Sequence, residues 1–295
     1  MVIEKDIQLY VIAGPTAVGK TSAAIRLAEK LNTEIVSADS RQIYEELDIG
    51  VARPTEEELS AIKHHMIACT SIQNRYTTAD YVTTAHRHIA QCIETNGSCI
   101  VCGGTGLYIQ GLLEGLDDIP SVSEEIRASL NRQVKSPEGL AALQKELQSI
   151  DPDYAHKADL QNPRRVIRAL SVYRETGTPY SNFLGSRKPI AEYRTKKIVL
   201  MRERENLYDR INMRYDLMIE AGLLREVERL LPFREKQALQ TVGYRELFKY
   251  LDGDLSLLEA ISLGKQKSRN YAKRQLTWFR QHGPWESVPA ESFLP

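Results

Sequence analysis

Long apolar runs are missing from this 295-residue chain: none approaches the roughly 20 residues needed to cross a bilayer. That argues against an integral membrane protein. The opening stretch, Val2 to Gln8, is too short and too acidic for a secretory leader, so the expected location is the cytoplasm. Cysteine is scarce, with only Cys69, Cys92, Cys99 and Cys102. So few thiols fit a reducing compartment and exclude a disulfide scaffold. Cys99-Ile-Val-Cys102 has CxxC spacing, but it lies in an apolar run that reads as a buried strand. Strand alternation sends its two thiols to opposite faces. No second CxxC exists, so core packing is expected rather than zinc or redox chemistry. His64 and His65 are adjacent and cannot share a strand face, which makes them strand and loop residues rather than ligands. Net charge is also absent, because 39 lysines and arginines balance 39 acids. General stickiness toward polyanions is thereby excluded, and only local patches remain of interest. Internal repeats and low-complexity tracts are lacking.

What is present is Gly14-x-x-x-x-Gly19-Lys20-Thr21, the phosphate-binding loop pattern. The chemistry explains the residue types. Gly14 and Gly19 let the backbone curl and aim N–H groups at an anion. Lys20 adds a mobile positive charge, and Thr21 offers a hydroxyl to a divalent metal. A helix beginning near Gly19 adds its positive dipole end. The flanks suit the motif. Residues 7–13 are apolar and β-branched, as in a buried parallel strand, and Ala23, Ala24, Leu27, Ala28 and Leu31 recur at helical spacing. The loop alone does not choose between ATP, another nucleotide and a plain diphosphate.

Further along, residues 33–38 read as a second strand ending at Asp39-Ser40-Arg41-Gln42. In a doubly wound α/β fold, ligands sit at the carboxyl ends of strands, so Asp39 is expected beside the phosphate loop. It suits a water-mediated metal contact, a general base or a helix N-cap. Residues 45–59 are acidic and read as surface helix and loop. Residues 77–90 read as a capped helix and 98–102 as a strand. Gly103-Gly-Thr-Gly-Leu-Tyr108 then makes a second glycine-rich turn whose one polar side chain, Thr105, is placed to meet a substrate or to orient Asp39. Helical patterns follow at 123–134, 137–149 and 163–175, and a strand returns at 196–201. The reading is an α/β fold: a P-loop, kinase-like core with a parallel sheet flanked by helices, plus an inserted, mostly helical domain. The core takes 1–115 and 196–295, and the insertion 116–195.

After the insertion, residues 206–231 read as one long amphipathic helix with Leu207, Ile211, Tyr215 and Met218 on its apolar stripe. Arg210 and Arg214 share a face, fit to clamp a phosphate or to pair with acids such as Glu205. Charge is uneven. From Gln161 to Lys197 nine lysines and arginines face two glutamates, a surplus of seven. From Gly264 to His282 there are six basic residues and no acid. Both runs contain aromatics, which favours a nucleic-acid surface over a merely solvated face. Trp278 and Phe279 are expected as core anchors.

In order, the motifs Gly-Pro-Thr-Ala-Val-Gly-Lys-Thr (14–21), Asp-Ser-Arg-Gln-Ile-Tyr (39–44), Asp-Ile-Gly-Val-Ala-Arg-Pro (48–54), Gly-Gly-Thr-Gly-Leu-Tyr (103–108), Asn-Pro-Arg-Arg (162–165), Val-Gly-Tyr-Arg (242–245) and Lys-Arg-Gln-Leu-Thr-Trp (273–278) resemble the bacterial tRNA dimethylallyltransferase family over nearly the whole chain. The resemblance implies transfer of a dimethylallyl group from dimethylallyl diphosphate to N6 of the adenosine just 3′ of a tRNA anticodon. It implies that Gly14, Pro15, Thr16, Ala17, Val18, Gly19, Lys20 and Thr21 hold the diphosphate, with Mg²⁺ at Thr21. It implies catalytic roles for Asp39, Thr105 and Arg214. It matches Asp39, Ser40, Arg41, Gln42, Thr105, Arg127, Asn162, Pro163, Arg164, Arg165, Arg245 and Arg274 to tRNA-contacting positions. The zinc finger of eukaryotic members has no counterpart, and Arg164 stands where relatives often carry another polar residue. A monomer is the default expectation.

Rival readings are a P-loop nucleoside or nucleotide kinase, an adenylate prenyltransferase of the cytokinin type, and a non-catalytic RNA-binding protein. The basic runs argue against a small acceptor. The helical insertion and the Arg-Gln-Leu-Thr-Trp tail favour tRNA. Intact Gly19-Lys20-Thr21 and Asp39 argue against a degenerate loop.

Overall fold

A six-stranded, wholly parallel sheet organises the chain, its strands lying in the order His64–His65, Ile35–Ala38, Cys99–Gly103, Leu9–Ala13, Thr195–Met201 and Glu286–Pro289. The structure is a computed structural model that describes residues 6–293. Residues 2–5 of the leader candidate lie outside it.

In chain order the elements are β1 (Leu9–Ala13), α1 (Lys20–Leu31), β2 (Ile35–Ala38), α2 (Glu56–Ala61), β3 (His64–His65), α3 (Thr78–Asn96), β4 (Cys99–Gly103) and α4 (Gly106–Glu114). Then come α5 (Glu124–Gln133), α6 (Pro137–Ile150), α7 (Pro152–Lys157) and α8 (Pro163–Thr176). The last are β5 (Thr195–Met201), α9 (Arg204–Glu220), α10 (Leu223–Leu230), α11 (Tyr244–Leu251), α12 (Leu257–Gln281) and β6 (Glu286–Pro289).

The local sequence explains the starts and stops. Thr77 with Asp80 caps α3, and Ser256 with Glu259 caps α12, each by the reciprocal pair of bonds of a capping box. Asn162 caps α8, and Pro163 occupies its first position, where no N–H is needed. β1 is buried at every residue, as a central parallel strand covered on both faces must be. Its side chains Tyr10 and Ile12 join Leu27 of α1, Ile100 of β4 and Leu200 of β5 in one apolar core. A second core gathers Ile43 and Leu47 with α10 and α11, through Val227, Tyr244 and Leu247.

Two compact units divide the chain: Met1–Leu113 with Ile190–Pro295, and Glu114–Pro189. The second is a helical cluster whose own core includes Leu130, Leu147, Val166 and Leu170. Its far boundary falls at Pro189 rather than 195. The residues after it are already tied to the sheet, since Arg194 O accepts the N–H groups of Gln8 and Leu9.

Two sequence expectations need correction. The helix expected over 206–231 is two helices. It breaks at Gly222, which adopts φ 104, a left-handed conformation that ends α9 and starts α10. The acidic stretch 45–59 is not all surface, because Leu47 is fully buried. Pro54 is buried as well, so the acids had masked two inward positions in an otherwise polar segment. Met218 packs against the second core, while Leu207, Ile211 and Tyr215 are buried as the stripe requires.

Candidate active site

The strand register brings the functional loops to one edge. Ala13 of β1 and Ala38 of β2 both pair with Gly103 of β4, so the three strands end level. From that edge leave the phosphate loop (14–19), the Asp39 turn and the Gly104-Thr105 turn. Gly19 at φ 109 turns the chain into α1. No side chain caps that helix, and its first turn carries no acid, so its first N–H groups remain for an anion.

Lys20 folds back over the loop and donates from Nζ to Pro15 O at 2.8 Å. Burial pushes its ammonium down to about 8, against the pull of Asp39 and with a further push from Arg214. Burial also holds the Arg214 guanidinium below its ordinary value, while Asp39 acts to raise it. Lys20, Arg214 and Asp39 therefore feel one another's charge, which is what a site for an anionic group needs. Burial drives the Cys102 thiol up to about 12, so this cysteine is a neutral neighbour of the site.

Asp39 is held by its own turn. Its Oδ1 accepts the N–H of Arg41 at 2.8 Å and of Gln42 at 3.4 Å. The cap-like geometry foreseen for Asp39 thus exists, at a turn rather than at a helix. Thr105 Oγ1 accepts the Ser40 N–H at 3.0 Å and donates to Ser40 Oγ at 3.3 Å. Thr105 N–H bonds Ala38 O at 3.1 Å. Thr105 thereby braces the turn that carries Asp39. Beneath this edge Tyr81 stacks on Tyr108, with ring centroids 3.8 Å apart, and donates to Ser37 O.

Other expected residues have different employment. Arg41 donates through Nη1 to Gln237 O and Ala238 O, pinning the turn to the segment before α11. The Gln42 amide donates to Val51 O and Ala52 O and accepts from Ser37. Arg210 caps the phosphate loop from outside, with Nε on Ala17 O at 2.9 Å, rather than pairing with Glu205. Arg202, which the sequence reading passed over, does the same on Val18 O at 3.0 Å. Thr16 turns its N–H away from the loop's mouth to Gln275. Arg245 is exposed on α11, and Arg274 is exposed on α12 with its guanidinium 5.6 Å from the Tyr271 ring centre. Phe279 is buried, whereas Trp278 is partly open and stacks on His282. In the helical unit, Arg127 lies 3.9 Å from Glu124, Asn162 and Pro163 open α8, and Arg164 and Arg165 are exposed.

The two basic runs are partly neutralised by acids far away in sequence. Arg174 pairs with Glu146, Arg187 with Asp117, Lys196 with Glu286 and Lys265 with Asp216. Counting charge along the chain overstated the free surplus.

Among the described residues, no group of three or more histidine, cysteine, aspartate or glutamate side chains could hold a metal ion. A magnesium ion at this loop would rest on the Thr21 hydroxyl, water and the oxygens of a bound diphosphate. That is the usual coordination of this ion, which rarely takes an all-protein cage. The donor set fits.

Sheet, loop and charged edge define an α/β protein with a P-loop beside a carboxylate. A family model described as IPP transferase matches residues 42–282. The tRNA dimethylallyltransferase of Christiangramia forsetii is 47% identical over 270 residues, 92% of this chain and 89% of its own length. The solved full-length tRNA isopentenylpyrophosphate transferase of Bacillus halodurans is 40% identical, with a TM-score of 0.69 over 96% of this chain and 90% of that one. A eukaryotic dimethylallyltransferase solved acting on tRNA is 27% identical, with a TM-score of 0.79 over 96% of this chain and 74% of that one. This chain belongs to the IPP transferase family.

Proposed function

We propose that this enzyme transfers the dimethylallyl group of dimethylallyl diphosphate to N6 of the adenosine immediately 3′ of the anticodon in tRNA (position 37). The product is N6-isopentenyladenosine, and the enzyme acts as a cytoplasmic monomer. The observation that supports this most is the meeting, at one sheet edge, of Asp39 with a phosphate loop whose helix has no side-chain cap, and the charge that Lys20, Asp39 and Arg214 exert on one another, in a chain of this family.

The chemistry follows from the charges. As the allylic C–O bond breaks, negative charge grows on the departing diphosphate. The loop N–H groups, Lys20 and Arg214 stabilise that charge without reorganising. Mg²⁺, when bound with Thr21, neutralises diphosphate oxygens. The adenine amine is a weak nucleophile and must lose a proton as it forms the N–C bond, and Asp39 takes that proton. Oδ1 is engaged by its own turn, which leaves Oδ2 for this task. Thr105 keeps the carboxylate in register. The base reaches this edge only after leaving its stack. Exposed basic residues, among them Arg164, Arg165, Arg245 and Arg274, hold the RNA backbone.

The test offers radiolabelled dimethylallyl diphosphate and Mg²⁺ with unmodified tRNA and AMP side by side, and ATP with a nucleoside in parallel. Label in tRNA, located by mass spectrometry at position 37, is expected. Label in AMP alone, or phosphoryl transfer without prenyl transfer, would overturn the proposal.

A further inference from the structure

We infer that Gln275 is a positioning residue that holds the leaving-group loop against the acceptor loop. It lies on α12, buried at 6% exposure, and touches both loops at once. Its Oε1 accepts the Thr16 N–H at 2.9 Å, and its Nε2 donates to Gly104 O at 3.0 Å. Both partners are backbone groups of fixed polarity, so only one orientation of the amide satisfies them. A carboxylate there would set an acceptor against the Gly104 carbonyl, and an apolar side chain would leave a buried donor and a buried acceptor unpaired.

The neighbouring glycine is part of the device. A Cβ on Gly104 would strike Gln275 Nε2. One turn further along α12, Trp278 covers Gly106, where a Cβ would meet the indole ring. The last long helix therefore seats two side chains on the second glycine-rich turn and one on the phosphate loop. The bonds form a continuous path. It runs from Thr16 through Gln275 to Gly104, along the chain to Thr105, and from Thr105 Oγ1 to the Ser40 N–H beside Asp39. The phosphate loop and the Asp39 turn leave different strands, and the side chains of Gln275 and Thr105 link them through hydrogen bonds. Two reacting partners held on separate loops react at a rate that depends steeply on their spacing. Gln275 sets that spacing and touches neither partner.

This inference rests on the proposed prenyl transfer. The test uses the full chain with Gln275→Met, Gly104→Ala and the double variant. Methionine keeps the length and loses both bonds. Alanine at 104 strikes the amide from the other side and also crowds Gly14 O, so its pyrophosphate affinity reports whether the phosphate loop itself has been disturbed. Single-turnover prenyl transfer, pyrophosphate affinity, tRNA affinity and the unfolding midpoint are measured for each. Each single variant should slow transfer by about 10- to 100-fold. Pyrophosphate and tRNA affinities should stay within about threefold, because the ligand-contacting groups remain. The double variant should be no slower than the slower single one, since both remove the same link. Transfer that is unchanged per folded molecule, with only the midpoint lowered, would overturn the inference. So would losses that multiply in the double variant. If the methionine variant fails to fold, Gln275→Glu, which keeps the acceptor for Thr16 and sets a second acceptor against Gly104 O, decides between slowed and unchanged transfer. A wild-type protein that prenylates nothing refutes the proposed function instead, so the two failures are distinguishable.

Discussion

Raising the pH from about 7 to about 9 should weaken pyrophosphate binding roughly tenfold through Lys20 alone. Burial brings this ammonium to about 8 in the unliganded protein. A bound anion favours the protonated form again, so above that value binding must take up a proton. The competent fraction of free enzyme then falls about tenfold per pH unit, or about 1.4 kcal/mol. An anion that restores the ordinary 10.5 spans a gap of about 2.5 pH units, about 3.4 kcal/mol. The sign for folding is opposite. The folded-state pKa lies below the unfolded one, so between about 8 and 10.5 the unfolded chain holds more protons. This group's contribution to the stability of the unliganded protein therefore improves across that window while anion affinity declines. Calorimetric titration in buffers of two ionisation enthalpies counts the protons taken up. Pyrophosphate titrates as well, so the quantity to read is the difference between wild type and Lys20→Arg, whose guanidinium stays charged. Parallel affinity curves for the two proteins, with equal proton counts, would refute the reasoning.

Two substitutions probe other parts of the site. Asp39→Asn keeps a side chain of the same shape but removes the base, so single-turnover transfer should fall by about 10²- to 10⁴-fold with pyrophosphate affinity retained. Transfer within threefold of wild type would take Asp39 out of the proton step. Glu226→Gln tests the brace under the 48–50 turn, where one buried carboxylate accepts the N–H groups of Asp48, Ile49 and Gly50 and the Tyr244 hydroxyl. Loss of about two charge-assisted bonds should cost about 3 kcal/mol and lower the thermal midpoint by about 6 °C. An unchanged midpoint in scanning calorimetry would show that the turn stands without it.

The parts of the site that were legible in the sequence are local. Gly14, Gly19, Lys20 and Thr21 lie within one turn of chain, and their flanks announce strand and helix directly. Asp39 was legible because a strand must end somewhere, and in a parallel sheet it ends at the ligand edge. Gln275 was not foreseen, since its partner Thr16 is 259 residues away. One signal existed: Gln275 sits among Ala260, Gly264, Ala272 and Phe279 on the buried stripe of α12, where a polar residue needs partners. The break at Gly222 was hidden because apolar spacing runs on through it into α10. Which basic residues remain unpaired was equally hidden, because Asp117, Glu146, Asp216 and Glu286 reach them only through the fold.

Both margins of the sheet are blunt. β3 offers two residues at one side, and β6 offers four at the other, the last of them Pro289. A proline carries no amide hydrogen to share, and a two-residue strand presents too little backbone to template a neighbour. A second molecule thus finds no rail along which to extend the sheet. Crowded solutions of this protein should resist strand-to-strand growth, however concentrated they become.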